Sequence, residues 1–146
     1  MNPTPPAADR ELADCILHLP EQAVRKLLAL VAGEAVDVVR GPRTGLVMMT
    51  ALDSFEADFY LGEVLVTEAE VACAGSRGYG MVLGDDPERA IARAVAEAVA
   101  ASPNRALRQR LNRFLRAEGK KLEARRQREA ALIARTRVNF ETMKRT

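Results

Sequence analysis

The chain has 146 residues, 48% of them apolar and 29% charged, which fits one soluble globular domain with a real core. No apolar stretch approaches the ~20 residues of a membrane-spanning helix. The formal net charge of +2 conceals a division: residues 1–100 carry 8 basic and 16 acidic side chains (net −8), residues 101–146 carry 14 and 4 (net +10). A basic C-terminal third implies an acidic counterpart, supplied by the protein's own body, a partner subunit or a nucleic acid.

There is no Trp, and only four Phe and two Tyr, so the core is built from Leu, Val, Ile, Ala and Met. The start, MNPTPPAADRELADC, lacks a basic region followed by an apolar run and does not read as a signal peptide. Cys15 and Cys73 form no CxxC pair and are expected to be free thiols in a cytoplasmic protein.

Residues 1–8 are proline-rich and expected to be disordered; residues 9–146 are expected to form a single α+β domain. Asp9 can cap a short helix with Leu12, Cys15, Ile16 and Leu19 on its apolar face. Pro20 suits the first turn of a second helix carrying Val24, Leu27, Leu28 and Val31, and Gly33 stops it. The period then shortens. VDVVR reads as a strand and GPRTG as a turn. The nearly continuous apolar run LVMMTAL (46–52) reads as a central strand covered on both faces. FEADFYL alternates, with Phe55, Ala57, Phe59 and Leu61 on one side. Leu65, Thr67, Ala69, Val71 and Cys73 share a face opposite Glu68 and Glu70. AGSRG then turns the chain into YGMVLG. Such short connections predict an antiparallel meander of four to five strands. A helix is predicted from Asp86 to residue 101, with Ile91, Val95 and Val99 in a stripe beside Ala94 and Ala98. A second is predicted over 105–117, with a break or bend at Gly119, and a basic helix over 120–136. The architecture is thus an N-terminal helix pair, a meander sheet and C-terminal helices.

The glycine-rich stretch GSRGYGMVLGDDPERA raises the prospect of a phosphate cradle. Its spacing fits neither GxxxxGK[ST] nor GxGxxG. Asp85, Asp86 and Glu88 already occupy the positive end of the coming helix, with Asp86 as N-cap and Pro87 at N1. The glycines therefore serve the fold: Gly75 and Gly78 in a hairpin turn, Gly80 in a strand, Gly84 before the helix. His18 is the only histidine; no HxxxH, HxxE or CxxC pattern offers a zinc site, and no GxSxG offers a nucleophile. No catalytic, cofactor-binding or metal-ligating residue is assigned.

In the basic segment, Leu107, Leu111, Phe114, Leu115 and Leu122 keep a helical apolar stripe. This fits a helix docked on protein, with Arg125, Arg126 and Arg128 on a solvated face. A nucleic-acid-binding module is the alternative, disfavoured by the scarcity of aromatic residues. The tail 137–146 places Arg137, Val138, Phe140 and Met143 at a chain end. It reads as a partner-docking segment.

Four ordered stretches, TGLVMM, FYLGEVLVTEAEVAC, GYGMVLGDDPERAIARAVAEA and ARTRVNFETMKR, resemble the G subunit of the bacterial carbon–phosphorus lyase system, the PhnG family. The matching positions are Thr44 to Val47, Gly62 to Val71, Gly78–Tyr79, Gly84 to Asp86, and Val138 to Met143. The resemblance covers roughly 36–101 and 125–146. Arg43 stands before Thr-Gly, where the family often has an acidic residue. The resemblance implies an obligatory, non-catalytic subunit without a cofactor of its own. Its partners would be the I, H and J core subunits and the L protein, in a hetero-oligomer. In that family's reaction a phosphonate displaces adenine from ATP, on an active site carried by the I-type subunit. With methylphosphonate the product is α-D-ribose 1-methylphosphonate 5-triphosphate. The radical step that later breaks the C–P bond belongs to the J subunit.

Overall fold

The computed structural model describes residues 15–136. Residues 15–18 are helical and lead into helix α1 (Glu21–Leu30). Strands β1 (Val36–Leu52), β2 (Asp58–Cys73) and β3 (Ser76–Leu83) follow, then helices α2 (Pro87–Ala101) and α3 (Arg105–Arg135). The class is α+β, as the sequence predicts, and the sheet is an antiparallel meander in the order β1-β2-β3. Its three strands are fewer and longer than the four to five expected. The GPRTG segment does not turn the chain. Between Arg40, opposite Glu70, and Arg43, opposite Glu68, β1 takes one residue more than β2 and bulges. Pro42, which has no N–H to offer, is tolerated there because β1 is an edge strand. Likewise the alternating segment at 58–61 runs straight into β2, with a bulge where Met49 faces Gly62 and Thr50 faces Tyr60.

The tight turn is at Ala74–Gly75, both with positive φ (51° and 80°) between the paired Cys73 and Ser76. A two-residue hairpin of this kind matches the strand twist. Gly78 is not part of it: Gly78 and Gly80 lie in β3 directly under α2. On that side Thr67, Ala69, Val71 and Cys73 of β2 and Val82 of β3 are buried, so the predicted inward face of β2 holds from Thr67 onward.

Helix α2 starts as expected. Asp86 accepts the Arg89 N–H at 3.0 Å and Pro87 occupies the first turn. Ala90, Ala94 and Ala98 are wholly buried beside Val95 and Val99. This row of methyl groups allows close approach to the glycines of β3. Thr67 fastens the approach to α2: its hydroxyl donates to the Gly84 carbonyl at 2.6 Å and accepts the Asp86 N–H at 3.1 Å. Arg89 reaches the N-terminal region, donating to the carbonyls of Ile16 (3.0 Å) and Leu19 (2.7 Å) and pairing with Asp86 at 2.8 Å.

At the other end of α2, Ser102 is fully buried. Its hydroxyl donates to Ala74 of the hairpin turn at 2.7 Å and accepts from Asn104 N–H at 3.0 Å. Asn104 caps α3 through Leu107 N–H. Helix α3 is continuous through Gly119, against the expected break. A single glycine costs about 1 kcal/mol in a helix interior. Leu111 and Leu115 before it and Leu122 after it are all buried in one core, each worth about 1.5–3 kcal/mol of transfer free energy. The predicted stripe of α3 is otherwise as observed: Leu107, Leu111, Leu115 and Leu122 are buried and Phe114 packs against them. The same cluster holds Ile16, Leu19, Val24, Leu27, Val71, Cys73, Val95 and Val99. Both cysteines are free; Cys73 is buried and Cys15 half-buried. Burial raises both thiol pKa values, with Glu118 adding at Cys15 and Glu34 at Cys73.

Candidate functional site

The strongest departure from expectation lies in residues 44–65. Read as a central strand, 46–52 should be covered on both faces. Instead β1 is exposed along nearly its whole length. β3 pairs β2 only over Val66 to Cys73. Beyond that point β1 and β2 continue as a two-stranded ribbon with no third strand and no helix over it among the described residues. Leu46, Met48 and Leu52, with Leu65 and Tyr60 opposite Leu46 and Thr50, share one face; all five are exposed. Val47 and Met49 share the other with Phe59. Tyr60 is 76% exposed and, at the tip, Phe55 88%. The tip is closed by a defined turn. Asp53 accepts the N–H groups of Phe55 and Ala57 at 2.8 and 2.9 Å, an Asx turn, and Glu56 takes a positive φ of 60°.

An isolated two-stranded ribbon is marginal in water, and a contiguous apolar surface of this size marks an interaction site. The signal was present in the sequence. An apolar run without alternation requires cover on both faces, but it does not say that the cover comes from the same chain.

At the root of the ribbon, on the sheet face away from α2, polar groups meet. Glu68 accepts from Arg43 Nε at 2.5 Å and from the Tyr79 hydroxyl at 2.6 Å. Arg77 pairs with Glu70 at 3.6 Å. The bonds from Tyr79 and then Arg43 hold the Glu68 carboxyl below its ordinary range. Burial and the Glu68 carboxylate push Tyr79 up to about 12. Arg43 is thus used in this chain to neutralise Glu68.

The second projection is the end of α3. From Glu123 to Thr136 every residue is exposed. Arg125, Arg126 and Arg128 lie on this free end, with Leu132 and Ile133 close to its terminus. The tail residues singled out from sequence, Arg137, Val138, Phe140 and Met143, lie outside the described residues, as does the cap Asp9. His18 is exposed on the N-terminal helical segment. Among the described residues, no group of three His, Cys, Asp or Glu side chains is arranged to hold a metal ion. No described helix is long and apolar enough to cross a membrane.

A protein of these features resembles known ones along most of its length. The family model described as "Phosphonate metabolism protein PhnG" matches residues 8–146. A relative from Rhizobium meliloti (strain 1021), named alpha-D-ribose 1-methylphosphonate 5-triphosphate synthase subunit PhnG, is 40% identical over 108 residues, covering 72% of this chain and 67% of its own length. The match takes in the ribbon, the sheet and all the described helices, and on it the chain belongs to the PhnG family of phosphonate metabolism proteins.

Proposed function

We propose that this chain is an obligatory, non-catalytic subunit of a cytoplasmic α-D-ribose 1-methylphosphonate 5-triphosphate synthase in organic phosphonate catabolism. In the proposed reaction a phosphonate displaces adenine from ATP. ATP is a substrate of the assembled complex, and the reacting groups are carried by a partner. The partners are the I-, H- and J-type core subunits and the L protein. The observation that carries this reading is the family match over residues 8–146. The Rhizobium relative adds a named synthase of which it is a subunit.

The chain's physical character supports a subunit role. Among the described residues, the exposed large apolar side chains concentrate on the β1–β2 ribbon, whereas ligand sites for small molecules are concave. The test is reconstitution. Partner subunits given ATP and methylphosphonate should release adenine when this chain is present and not when it is omitted. Equal adenine release without the chain would overturn the reading.

A further inference from the structure

We infer that the β1–β2 ribbon, residues 44–65, is an insertion arm. It is gripped on both faces by an apolar cleft of a different protein chain, and the rim of that cleft is basic. The inference rests on the subunit reading above and adds to it the element that docks and the chemistry of its receptor.

Area favours cover on both faces. The arm pairs residues 44–52 with 58–65. At ~3.4 Å per residue and ~4.8 Å between strands, each face measures roughly 30 by 10 Å, about 300 Å². Stable interfaces take at least ~600 Å² from each partner. One face reaches about half of that, as a lattice-like contact would; the two together reach it. Side-chain chemistry agrees. Leu46, Met48, Leu52, Tyr60 and Leu65 on one face, and Val47, Met49 and Phe59 on the other, are all exposed. A flat partner surface would leave one set in water.

Charge defines the rim. No Lys or Arg occurs between Thr44 and Ser76. The arm's charges are Asp53, Glu56, Asp58 and Glu63, all exposed. The receptor therefore meets an apolar ribbon with an acidic tip and one carboxylate, Glu63 opposite Met48, within the face of Leu46 and Leu65, and complementary positive charge steers it on.

The same charges argue against a second copy of this chain. A two-fold contact between arms would set these carboxylates against one another. The basic, apolar surface that another copy could offer among the described residues is the free end of α3, with Arg125, Arg126, Arg128, Leu132 and Ile133. A single convex helix covers one face of a ribbon and cannot enclose two.

The experiment co-expresses the full chain with the I-, H- and J-type subunits and follows the complex by size exclusion. A photo-crosslinking amino acid is placed at Met48 in one preparation and at Phe59 in another. Crosslinks from both positions to a partner subunit are expected. Crosslinks from one face only, to a second copy, or within the same chain would overturn the arm inference. Two paired charge variants, Leu46→Glu with Tyr60→Glu and Met49→Glu with Phe59→Glu, each alter one face. These side chains are exposed, so folding, read by circular dichroism and thermal unfolding of the chain alone, should be kept. Each pair should weaken complex formation at least roughly tenfold, as central interface residues do. Undiminished assembly of both variants would overturn the arm inference while leaving the subunit reading intact. Failure of the unaltered chain to assemble would overturn both.

Discussion

Gly80 of β3 lies directly beneath Ala90 of α2, so close that a Cβ on the glycine would run into the Ala90 carbonyl oxygen and approach the Ala94 nitrogen within 2.6 Å. Gly78 stands in the same relation to Ala94 and Ala98, where its Cβ would run into the Ala94 carbonyl oxygen and the Ala98 nitrogen. The obstructing atoms are backbone, which cannot rotate aside. Gly78→Ala and Gly80→Ala should therefore each lift α2 from the sheet and cost about 3 kcal/mol or more. At this chain length that is a fall in Tm of roughly 6–12 °C. Gly45→Ala, at an open position of β1, is the control and should leave Tm nearly unchanged. Thermal unfolding of the three variants checks the relation; equal Tm values would refute it.

Thr67 carries a second joint between sheet and helix. It is 1% exposed, and its hydroxyl serves both the Gly84 carbonyl and the Asp86 N–H. Thr67→Val keeps the shape and removes both bonds, leaving two backbone groups without their partner. The expected loss is about 1–3 kcal/mol in urea unfolding, with an unchanged slope. Thr67→Ser keeps both bonds and loses one methyl, so about 1 kcal/mol. A valine variant as stable as the serine one would remove the hydroxyl from the explanation.

Arg89 ties α2 to the N-terminal region through two side-chain hydrogen bonds, to the Ile16 and Leu19 carbonyls, and is braced by a third to Asp86, the cap of its own helix. Its side chain is 16% exposed, so water competes weakly for these bonds. Arg89→Met preserves most of the aliphatic bulk and should cost about 3 kcal/mol. Arg89→Lys should recover less than half, because an ammonium lacks the planar fork. The loss should be local first: amide hydrogen exchange at residues 15–19 should quicken before that of β2. Uniform acceleration across the chain would contradict a positioning role.

The sequence was legible where one chain satisfies its own pattern. Asp86 and Pro87 start α2, the leucine row of α3 is buried, and Thr67 to Cys73 point inward, because each has its cover within the chain. It misled where that condition fails. The run 46–52 has the composition of a central strand, yet it forms half of an exposed ribbon. Gly41 and Pro42 resemble a turn, but an edge strand absorbs them as a bulge. Gly119 resembles a break, but leucines on both sides bury in the same core. The sequence shows that the glycines of β3 serve the fold but not their helical partner, since the fit of Gly78 and Gly80 to Ala90, Ala94 and Ala98 exists only once α2 folds back.

The Arg43–Glu68–Tyr79 network fixes a pH response with a definite sign. Tyr79 is raised to about 12, by burial first and Glu68 second. Its contribution to stability is complete below the ordinary tyrosine pKa of 10.0 and is lost as pH rises through about 12. Glu68 is lowered by its bonds to Tyr79 and Arg43. Its contribution is present above the ordinary glutamate value of 4.5 and is lost as pH falls through the depressed one. The chain has two tyrosines, so Tyr60→Phe leaves Tyr79 as the single phenol to follow by ultraviolet tyrosinate absorbance. Its midpoint should lie near 12. Adding Glu68→Gln should lower it only part of the way toward 10, because burial, the larger cause, remains. Adding Arg43→Met instead should raise it, since the guanidinium favours the phenolate. An ordinary midpoint in the Tyr60→Phe chain, or one indifferent to both substitutions, would show that the network does not form in solution.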